Sequence, residues 1–230
     1  MLLHDLKSGM HPRRVRILLA EKGVEIPSRQ VDVVAGENTS AEFRRLNPLG
    51  KVPVLVLDDG SVLSESMAIC RYLEALYPTP PLFGSTDLQK ARIEMWLRRA
   101  EYEIARPVVD IFVHSSDFYR TRLEQVPAYA AWARQRLDEG MAWLDRELAG
   151  TACIGQDDYS MADIVAQCAL VLGKAVGIRV ADEHANLARW FAAVSAREVT
   201  PNREVMCSRW SFALAIRAYS NPSSGFLHSN

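Results

Sequence analysis

Glu65 and Ser66 place a carboxylate and a hydroxyl at the start of a predicted helix, where they could bind a small zwitterion. Apolar side chains follow at helical spacing over residues 69–76, which predicts a helix with one buried face. The first backbone N–H groups of a helix have no partner within it and favour an anion, while Glu65 favours a cation. Because an amino acid carries a carboxylate and an ammonium on one carbon, this pair predicts a site for such a ligand.

Val52 and Pro53 precede that pair and could present main-chain groups to the same ligand. Residues 54–57 are an unbroken apolar run, too short for an ordinary helix, which favours a buried strand. An Asp-Gly pair then predicts a tight hairpin turn into a second strand over residues 61–64. Proline suits the first residue of a strand, and the bond before it is the common site of a cis peptide. A cis bond would turn the N–H and C=O of Val52 toward solvent or a ligand.

Composition and charge argue against several classes of partner. The chain has 230 residues, of which 49% are apolar, enough for one large or two modest domains with a substantial core. Its 27 basic and 28 acidic residues are interspersed and give a net charge of −1, so we expect neither nucleic acid nor a membrane as partner. We find no signal peptide and no apolar run long enough to span a membrane.

The cysteines and histidines indicate neither a disulfide framework nor a metal site. The four cysteines lie far apart without a C-x-x-C pair, and Cys70 and Cys168 fall within apolar helical patterns. This arrangement is typical of buried, reduced thiols in a cytoplasmic protein. The five histidines show no ligand spacing and no paired nucleophile, which argues against a metal centre and against a serine-protease mechanism.

Residues 1–77 predict a mixed α/β domain. A short apolar segment at 2–6 leads through a polar turn into a helix that begins near Pro12. Alternating residues at 30–33 predict a second strand, and residues 40–46 predict a short helix that ends at an Asn-Pro pair. With the hairpin and the helix described above, the predicted order is β-α-β-α-β-β-α.

Residues 78–85 predict a linker, and residues 86–230 predict an all-helical second domain. The linker holds three prolines within four residues, and such a run cannot continue a helix. A capping-box pattern then opens a long helix over residues 86–112. Pro107 should kink this helix, because proline removes one of its hydrogen bonds.

Three further helices complete the predicted second domain. One begins near Pro127, and another begins at Ser160, where Ser160 and Asp163 form a cap pair. The helix after Ser160 is apolar nearly all round, which is typical of the centre of a bundle. Replacing Asp163 by Ala should cost about 1–2 kcal/mol through loss of the cap. Amphipathic spacing over residues 187–194 predicts the last helix.

The end of the chain has no single predicted structure. Beyond about Glu198, apolar side chains at 210–216 fit both a strand and a helix. Residues 221–230 are typical of a disordered polar tail. Such a tail could cover a site or lie away from it.

Taken together, these features resemble the soluble glutathione transferases. The resemblance rests on the element order, on Asn-Pro-x-Gly-Lys-Val-Pro-x-Leu at 47–55, on the Glu65-Ser66 helix start and on the Ser-x-Ala-Asp cap. Each feature is weak alone, but their order and spacing are specific over residues 1–196. The resemblance implies a thioredoxin-like N-terminal domain with a mixed four-stranded sheet that binds glutathione. It also implies a helical domain that supplies most of the electrophile pocket, and a homodimer.

The same resemblance assigns roles to individual residues. Val52, before a cis Pro53, would hydrogen-bond the cysteinyl backbone of glutathione. Glu65 and Ser66 would bind its γ-glutamyl ammonium and carboxylate, in agreement with the electrostatics of a helix start. Lys51 could approach the glycyl carboxylate, although an exposed lysine beside a strand could equally be solvated.

The donor that activates the glutathione thiol is the main departure from the family. A free thiol has a pKa of about 8.5, and a positive helix end with one hydroxyl or thiol donor can lower it. The family carries a Ser, Tyr or Cys in the loop after the first strand, and that position falls on Gly9 in this chain. A small adjustment of the loop would make Ser8 the donor, with the Met10 N–H or His11 assisting.

A second set of side chains is predicted to contact the electrophile. These residues lie near the donor loop or follow the first long helix of the second domain, where the family binds its electrophile. Aromatic side chains there suit an apolar substrate, although packing alone would also explain them. The set comprises Met10, His114, Phe118, Tyr119 and Arg122.

Three functions are compatible with the sequence. The first is a cytoplasmic, homodimeric glutathione transferase that adds the glutathione thiolate to a small hydrophobic electrophile, with glutathione as co-substrate and without a metal. The second is a glutathione-binding or scaffold protein of the same fold, which Gly9 at the donor position favours. The third is glutathione-dependent isomerisation or peroxide reduction, since the same thiolate serves each reaction.

Overall fold

The N-terminal third of the chain forms a mixed sheet and its helices in the predicted order of elements. The computed structural model describes residues 1–156 and 158–197, so the predictions for the tail lie outside the described residues. A short 3-10 turn precedes the second helix, and the predicted β-α-β-α-β-β-α order is confirmed. The elements are β1 (Leu2–Asp5), α1 (Met10–Glu21), β2 (Ser28–Gln30), α2 (Ala41–Leu46), β3 (Val54–Val56), β4 (Val62–Ser64) and α3 (Ser66–Leu76).

The sheet is mixed and four-stranded, as predicted, with the strand order β2-β1-β3-β4. β1 pairs in parallel with β2 and antiparallel with β3, and β3 pairs antiparallel with β4. Val54 lies opposite Ser64 in the register of the last pair. Because Pro53 precedes Val54 and Glu65 follows Ser64, this pairing brings the two predicted ligand-binding segments side by side.

The second strand lies earlier in the chain than predicted. It spans Ser28–Gln30, whereas alternation indicated residues 30–33. Val31 is buried with Phe43 and Val54, and Val33 packs against the same small cluster. The alternation of valines therefore reflects a loop that packs against the sheet, and side-chain burial alone did not distinguish it from a strand.

The C-terminal part is helical. The predicted central position of one helix is confirmed, because every residue of α8 is buried. None of the helices in the described ranges is both long and apolar enough to cross a bilayer. The helices are α4 (Asp87–Arg99), α5 (Arg106–Ser115), α6 (Asp117–Arg120), α7 (Pro127–Glu147), α8 (Met161–Gly173) and α9 (Ala185–Ala196).

The predicted long helix is interrupted just before Pro107. A π-helical segment, Ala100–Ala105, joins α4 to α5, and such segments are common places for a helix to bend. Pro107 has no N–H to donate to the carbonyl of Glu103. Gly140 of α7 packs against that carbonyl so closely that a Cβ on Gly140 would lie 2.3 Å from the oxygen. The crossing of α7 over this segment therefore requires glycine.

The two domains share buried contacts through α1 and the segment between α3 and α4. α1 packs against both α3 and α8. Leu82 and Phe83 are buried, and the carbonyl of Leu82 accepts a hydrogen bond of 3.0 Å from the N–H of Met161. Residues 78–85, the predicted linker, contain no helix or strand. Because Leu82 and Phe83 are buried, part of this segment nevertheless belongs to the core. The domain boundaries themselves stay predictions.

The start of α8 is closed by a buried carboxylate. Asp163 is fully buried and accepts from four donors: the N–H of Ile154 at 2.8 Å, the indole N–H of Trp190 at 2.8 Å, and the N–H and hydroxyl of Ser160 at 2.9 and 3.2 Å. Burial raises the pKa of Asp163, while these hydrogen bonds oppose the rise. The carboxylate thus joins the start of α8 to α9 and to the loop before α8.

Candidate functional site

A cavity of 380 Å³ brings together segments from both domains. Its walls come from the start of α1, the loop after β2, the turn before β3, and side chains of α5, α6 and α8. Several residues predicted from sequence lie in one place because of this arrangement. The predicted site residues that line the cavity are Ser8, Met10, His11, Lys51, Val52, Phe118 and Tyr119.

A larger cavity of 770 Å³ lies beside the linker and α9. Its charged groups include Glu21 and Arg197, which form an ion pair, and the Arg197 guanidinium stacks over Tyr159 at 4.0 Å. None of the predicted site residues lines it. We therefore take the smaller cavity as the candidate site.

The N-terminus of α1 forms one wall of the candidate site. Residues 8–12 all line the cavity, and the helix begins at Met10. The first turn holds no acidic side chain, and Pro12 contributes no N–H. The amides of Met10 and His11 therefore remain the free donors of the first turn, and the positive end of the helix dipole is not neutralised by a carboxylate of that turn.

Gly9 cannot carry a side chain in the present backbone geometry. A Cβ on Gly9 would lie 2.9 Å from Cδ of Pro12 and 3.1 Å from the carbonyl oxygen of Leu6. Contacts of this kind would force the proline ring to move. The position that usually holds the family's donor is thus closed, whereas Ser8 lines the cavity directly.

His11 is neutral at the cavity wall at pH 7. Desolvation by surrounding protein atoms, with a smaller contribution from the positive charges of Arg14 and Lys51, lowers the pKa of His11 to about 4. A neutral imidazole has one N–H donor and one acceptor.

The turn before β3 holds Val52 at the cavity edge. The predicted cis bond between Val52 and Pro53 is present. Buried Asn47 fixes the turn, because its amide donates to the carbonyl of Lys51 at 2.8 Å and its oxygen accepts from the N–H of Leu49 at 3.1 Å. The sequence pattern placed Asn47 at a helix end and at the start of the family motif, without a role for its side chain. Its Asx-turn pattern, in which the side chain accepts from a backbone N–H two residues on, was the available signal.

Asn38 is a polar residue of the site that sequence reasoning missed. It lines the cavity, and its amide donates a hydrogen bond of 2.7 Å to the carbonyl of Gly50. Gly50 has φ of +62°, and a Cβ there would lie 2.8 Å from the carbonyl oxygen of Asn38. This contact joins the loop after β2 to the turn before β3, twelve residues further along the chain. No local sequence pattern predicts it.

Glu65 has a strained backbone at the start of α3. Its φ is +66° and its ψ is 116°, and it is the one non-glycine residue with positive φ in the described part of the chain. Conformations of this kind cost on the order of 1–3 kcal/mol and often mark functional sites. Ser66 is buried, and the start of α3 has no hydrogen bond from a capping side chain. These two residues lie beside Pro53 through the strand register, although they do not line the 380 Å³ cavity.

His114 lies outside the cavity. Its Nδ1 accepts a hydrogen bond of 3.2 Å from the N–H of Val126, and its ring contacts Tyr129 edge to face at 5.2 Å. The apolar wall comes instead from residues that the sequence analysis assigned to packing or did not assign. These residues are Val33, Val34, Val109, Phe112, Val113 and Leu172.

No grouping of three or more His, Cys, Asp or Glu side chains suited to a metal ion occurs within residues 1–156 and 158–197. Cys70, Cys153 and Cys168 are buried and form no disulfide with one another. Burial raises the pKa values of the Cys70 and Cys168 thiols. These thiols are therefore protonated at neutral pH and poor nucleophiles.

Known proteins share both domains of this chain. Residues 10–76 match the family of the glutathione S-transferase N-terminal domain, and residues 106–198 match that of the C-terminal domain. Glutathione S-transferase 2 of Saccharomyces cerevisiae is 34% identical over 86% of each chain. The crystal structure of Gtt2 from the same organism superposes with a TM-score of 0.82 over 86% of this chain and 98% of that chain, at 34% identity.

Part of the chain also resembles an isomerase. Maleylacetoacetate isomerase of Pseudomonas aeruginosa is 44% identical over 94 residues, which are 40% of this chain and 44% of that protein. The transferase similarity extends over far more of the chain than this partial match. From the fold, the cavity and these similarities, we conclude that the chain belongs to the soluble glutathione S-transferase family, whose activity is glutathione conjugation.

Proposed function

We propose that this protein adds the thiolate of glutathione to a small, hydrophobic electrophile inside the 380 Å³ cavity. The observation that carries the proposal is the meeting, in one cavity, of the positive end of α1 with an apolar wall from the helical domain. The positive end of α1 stabilises a thiolate, and the apolar wall stabilises an apolar substrate. Conjugation of such electrophiles is a detoxification reaction.

Glutathione binds along the edge of the sheet domain in this proposal. Ser66 and the free N–H groups of α3 hold the γ-glutamyl carboxylate, and Glu65 holds its ammonium. The backbone of Val52, exposed by the cis bond, pairs with the cysteinyl residue. Lys51 then lies on the side of the glycyl carboxylate. The strand register supports this path, because it sets the start of α3 beside Pro53.

The thiol is activated at the start of α1. Ser8 donates a hydrogen bond to the sulfur, and the amide of Met10 or the neutral ring of His11 assists. Each of these groups lines the cavity, and no carboxylate of the first turn opposes a negative charge there. The proton leaves the sulfur for solvent, and the resulting thiolate attacks the electrophile. Such an environment lowers the pKa of a thiol from its usual value of about 8.5.

The electrophile occupies the apolar wall. Phe118 and Tyr119 of α6 line the cavity together with Val33 and Val34 of the loop after β2. Burial raises the pKa of Tyr119, so its hydroxyl stays protonated and can donate to a polar group of the substrate. A cavity of 380 Å³ is near the lower end of the usual range for ligand sites, about 300–1,000 Å³, which favours small substrates.

The proposed homodimer uses the outer face of α4 and the π-helical segment. Leu88, Met95 and Tyr102 are spaced by seven residues and expose 60%, 41% and 61% of their surface. A row of large apolar side chains on one helix face is typical of a protein interface. A second copy of the chain would cover this row. The buried cysteines of the described residues form no disulfide with one another, which supports a reducing compartment such as the cytoplasm.

Glutathione titration tests the proposed chemistry. Thiolate absorbance in the ultraviolet should rise on binding, and a chloronitroaromatic should be converted to its thioether. Ser8→Ala should reduce both signals, while Ser61→Ala, at an exposed hairpin position, should change neither. Binding without thiolate formation or turnover would favour the scaffold alternative, and unchanged turnover in the Ser8→Ala variant would remove Ser8 as donor.

Light scattering after gel filtration tests the dimer. Met95→Asp should convert the dimer to a monomer, because it buries a charge in the interface. Trp132→Asp is the control, since Trp132 is also exposed but lies on α7. A dimeric Met95→Asp variant, or a monomeric wild type, would exclude this face.

Glutathione-dependent isomerisation is the second candidate. The partial similarity to maleylacetoacetate isomerase favours it, and the chemistry requires the same thiolate. An isomerase would catalyse cis–trans change of an activated double bond and release glutathione unchanged. Measuring glutathione consumption against substrate loss separates the two reactions, because only conjugation consumes one glutathione per substrate.

A further inference from the structure

Arg122 connects the two walls of the cavity across the domain boundary. Its guanidinium donates one hydrogen bond to the carbonyl of Phe118, at 2.5 Å, and another to the carbonyl of Val34, at 3.3 Å. The same guanidinium stacks over the Phe118 ring at 4.0 Å. Phe118 and Val34 both line the cavity, whereas Arg122 is exposed and lies outside it. The side chain therefore joins a wall residue from the helical domain to a wall residue from the sheet domain.

The two segments that Arg122 joins contain only short helical turns, and all residues of 33–39 and 117–122 are partly or fully exposed. α6 has only four residues, Asp117–Arg120, and Arg122 follows its end. Val34 belongs to the loop after β2, with an exposed side chain. Short segments with much exposed surface and few buried contacts open at low free energy. A contact between them can thus break and re-form without disturbing the sheet or the bundle.

We propose that Arg122 is a latch that sets the width of the cavity mouth and so limits entry of the electrophile and release of the conjugate. The proposal rests on the proposed function, because the electrophile wall is the part of the site that the latch closes. Phe118 is held by its carbonyl and by its ring, so its position in the wall depends directly on the arginine. Glutathione itself binds at the sheet domain and does not pass the latch.

Hydrogen–deuterium exchange tests the latch without any ligand. Arg122→Met keeps an apolar stem over Phe118 and removes both donors. We expect faster exchange in two separate segments, residues 33–39 and residues 117–122. Arg120→Met is the matched control, because Arg120 pairs with Asp117 of its own helix and not with Val34. It should affect α6 alone. Unchanged exchange at 33–39 in Arg122→Met would overturn the latch.

Dissociation of S-hexylglutathione measures the functional effect. We expect Arg122→Met to release this thioether about fivefold faster, the change for loss of the one hydrogen bond that crosses to Val34, and Arg120→Met to release it at the wild-type rate. Affinity for glutathione alone should stay the same in both variants. An equal release rate in wild type and Arg122→Met would overturn the role in release. If wild type bound neither glutathione nor the thioether, the proposed function would fail, while the exchange result would still decide whether the latch exists.

Discussion

The starts of α8 and α3 use similar residues for opposite purposes. Ser160 and Asp163 close the start of α8, where every donor around the carboxylate belongs to the protein. Glu65 and Ser66 open α3 without a capping hydrogen bond, and Glu65 is held at φ of +66°. At the start of α8 the polar groups bond to one another and stabilise the fold. At the start of α3 the polar groups remain available to a ligand, and the backbone of Glu65 is strained.

Burial separates these two helix starts. Asp163 is fully buried between the loop at Ile154, the start of α8 and Trp190 of α9. Glu65 is exposed, and only Ser66 beside it is buried. A buried carboxylate must be satisfied by the fold, because water does not reach it. An exposed carboxylate is hydrated and needs no partner within the protein, so it can bind a ligand. Similar residues therefore form a structural cap at α8 and a proposed binding site at α3.

The largest effect is expected for Asp163→Ala. Loss of the cap alone would cost about 1–2 kcal/mol. The structure adds buried donors from Ile154 and Trp190 that would lose their acceptor, so we now expect the free energy of unfolding to fall by about 3–5 kcal/mol. Urea unfolding measures this change. A loss below about 1.5 kcal/mol would contradict the comparison, because it would make the buried cap equivalent to an exposed one.

Glu65→Gln should affect binding and leave stability unchanged. The substitution removes the charge that pairs with the proposed γ-glutamyl ammonium, a contact of about 1.5–3 kcal/mol. We expect the dissociation constant of glutathione to rise by at least about tenfold in calorimetric titration, with the same unfolding midpoint. A destabilised variant with normal affinity would show that Glu65 is structural, like Asp163.

Glu65→Gly separates strain from binding. Glycine adopts positive φ without a Cβ penalty, which relieves on the order of 1–3 kcal/mol, although it loses about 0.5–1 kcal/mol through greater freedom of the unfolded chain. We expect unfolding stability equal to or above wild type and weak glutathione binding. Reduced stability in thermal unfolding would mean that the Glu65 side chain supports the fold.

The smallest effect concerns His11, at the start of α1. Its pKa is about 4 in the folded protein and about 6.5 in the unfolded chain, so the unfolded chain alone binds this proton between those values. Acidification through that window therefore weakens the fold. His11→Gln should lose less stability than wild type between pH 7 and pH 5. Identical losses in both proteins would show that the imidazole titrates normally.

Local patterns account for most of the correct predictions. The hairpin, the proline before β3, the Ser160 cap and the apolar α8 each depend on residues close in sequence, and each is present. The error in β2 arose because Val31 and Val33 alternate in burial within a loop. Burial at period two is typical of a strand but does not prove strand pairing, which depends on partners far along the chain; β2 itself is exposed throughout and shows no such period.

Some of the predicted site residues lie in the candidate site, and others do not. Ser8, Val52 and Phe118 were predicted to belong to one site, and they line one cavity. His114 was predicted beside them, but its ring packs on Tyr129. A helix position predicts which face a side chain occupies, whereas the neighbour on that face is set by the packing of α5 and α7.

The sequence alone determined the order of the elements, the family, and the polar pair at the start of α3, because propensity, turn chemistry and spacing are local properties. Only the tertiary structure decided the strain at Glu65, the closed position at Gly9, the donors around Asp163 and the reach of Arg122 to Val34. Each of these depends on atoms brought together from distant parts of the chain.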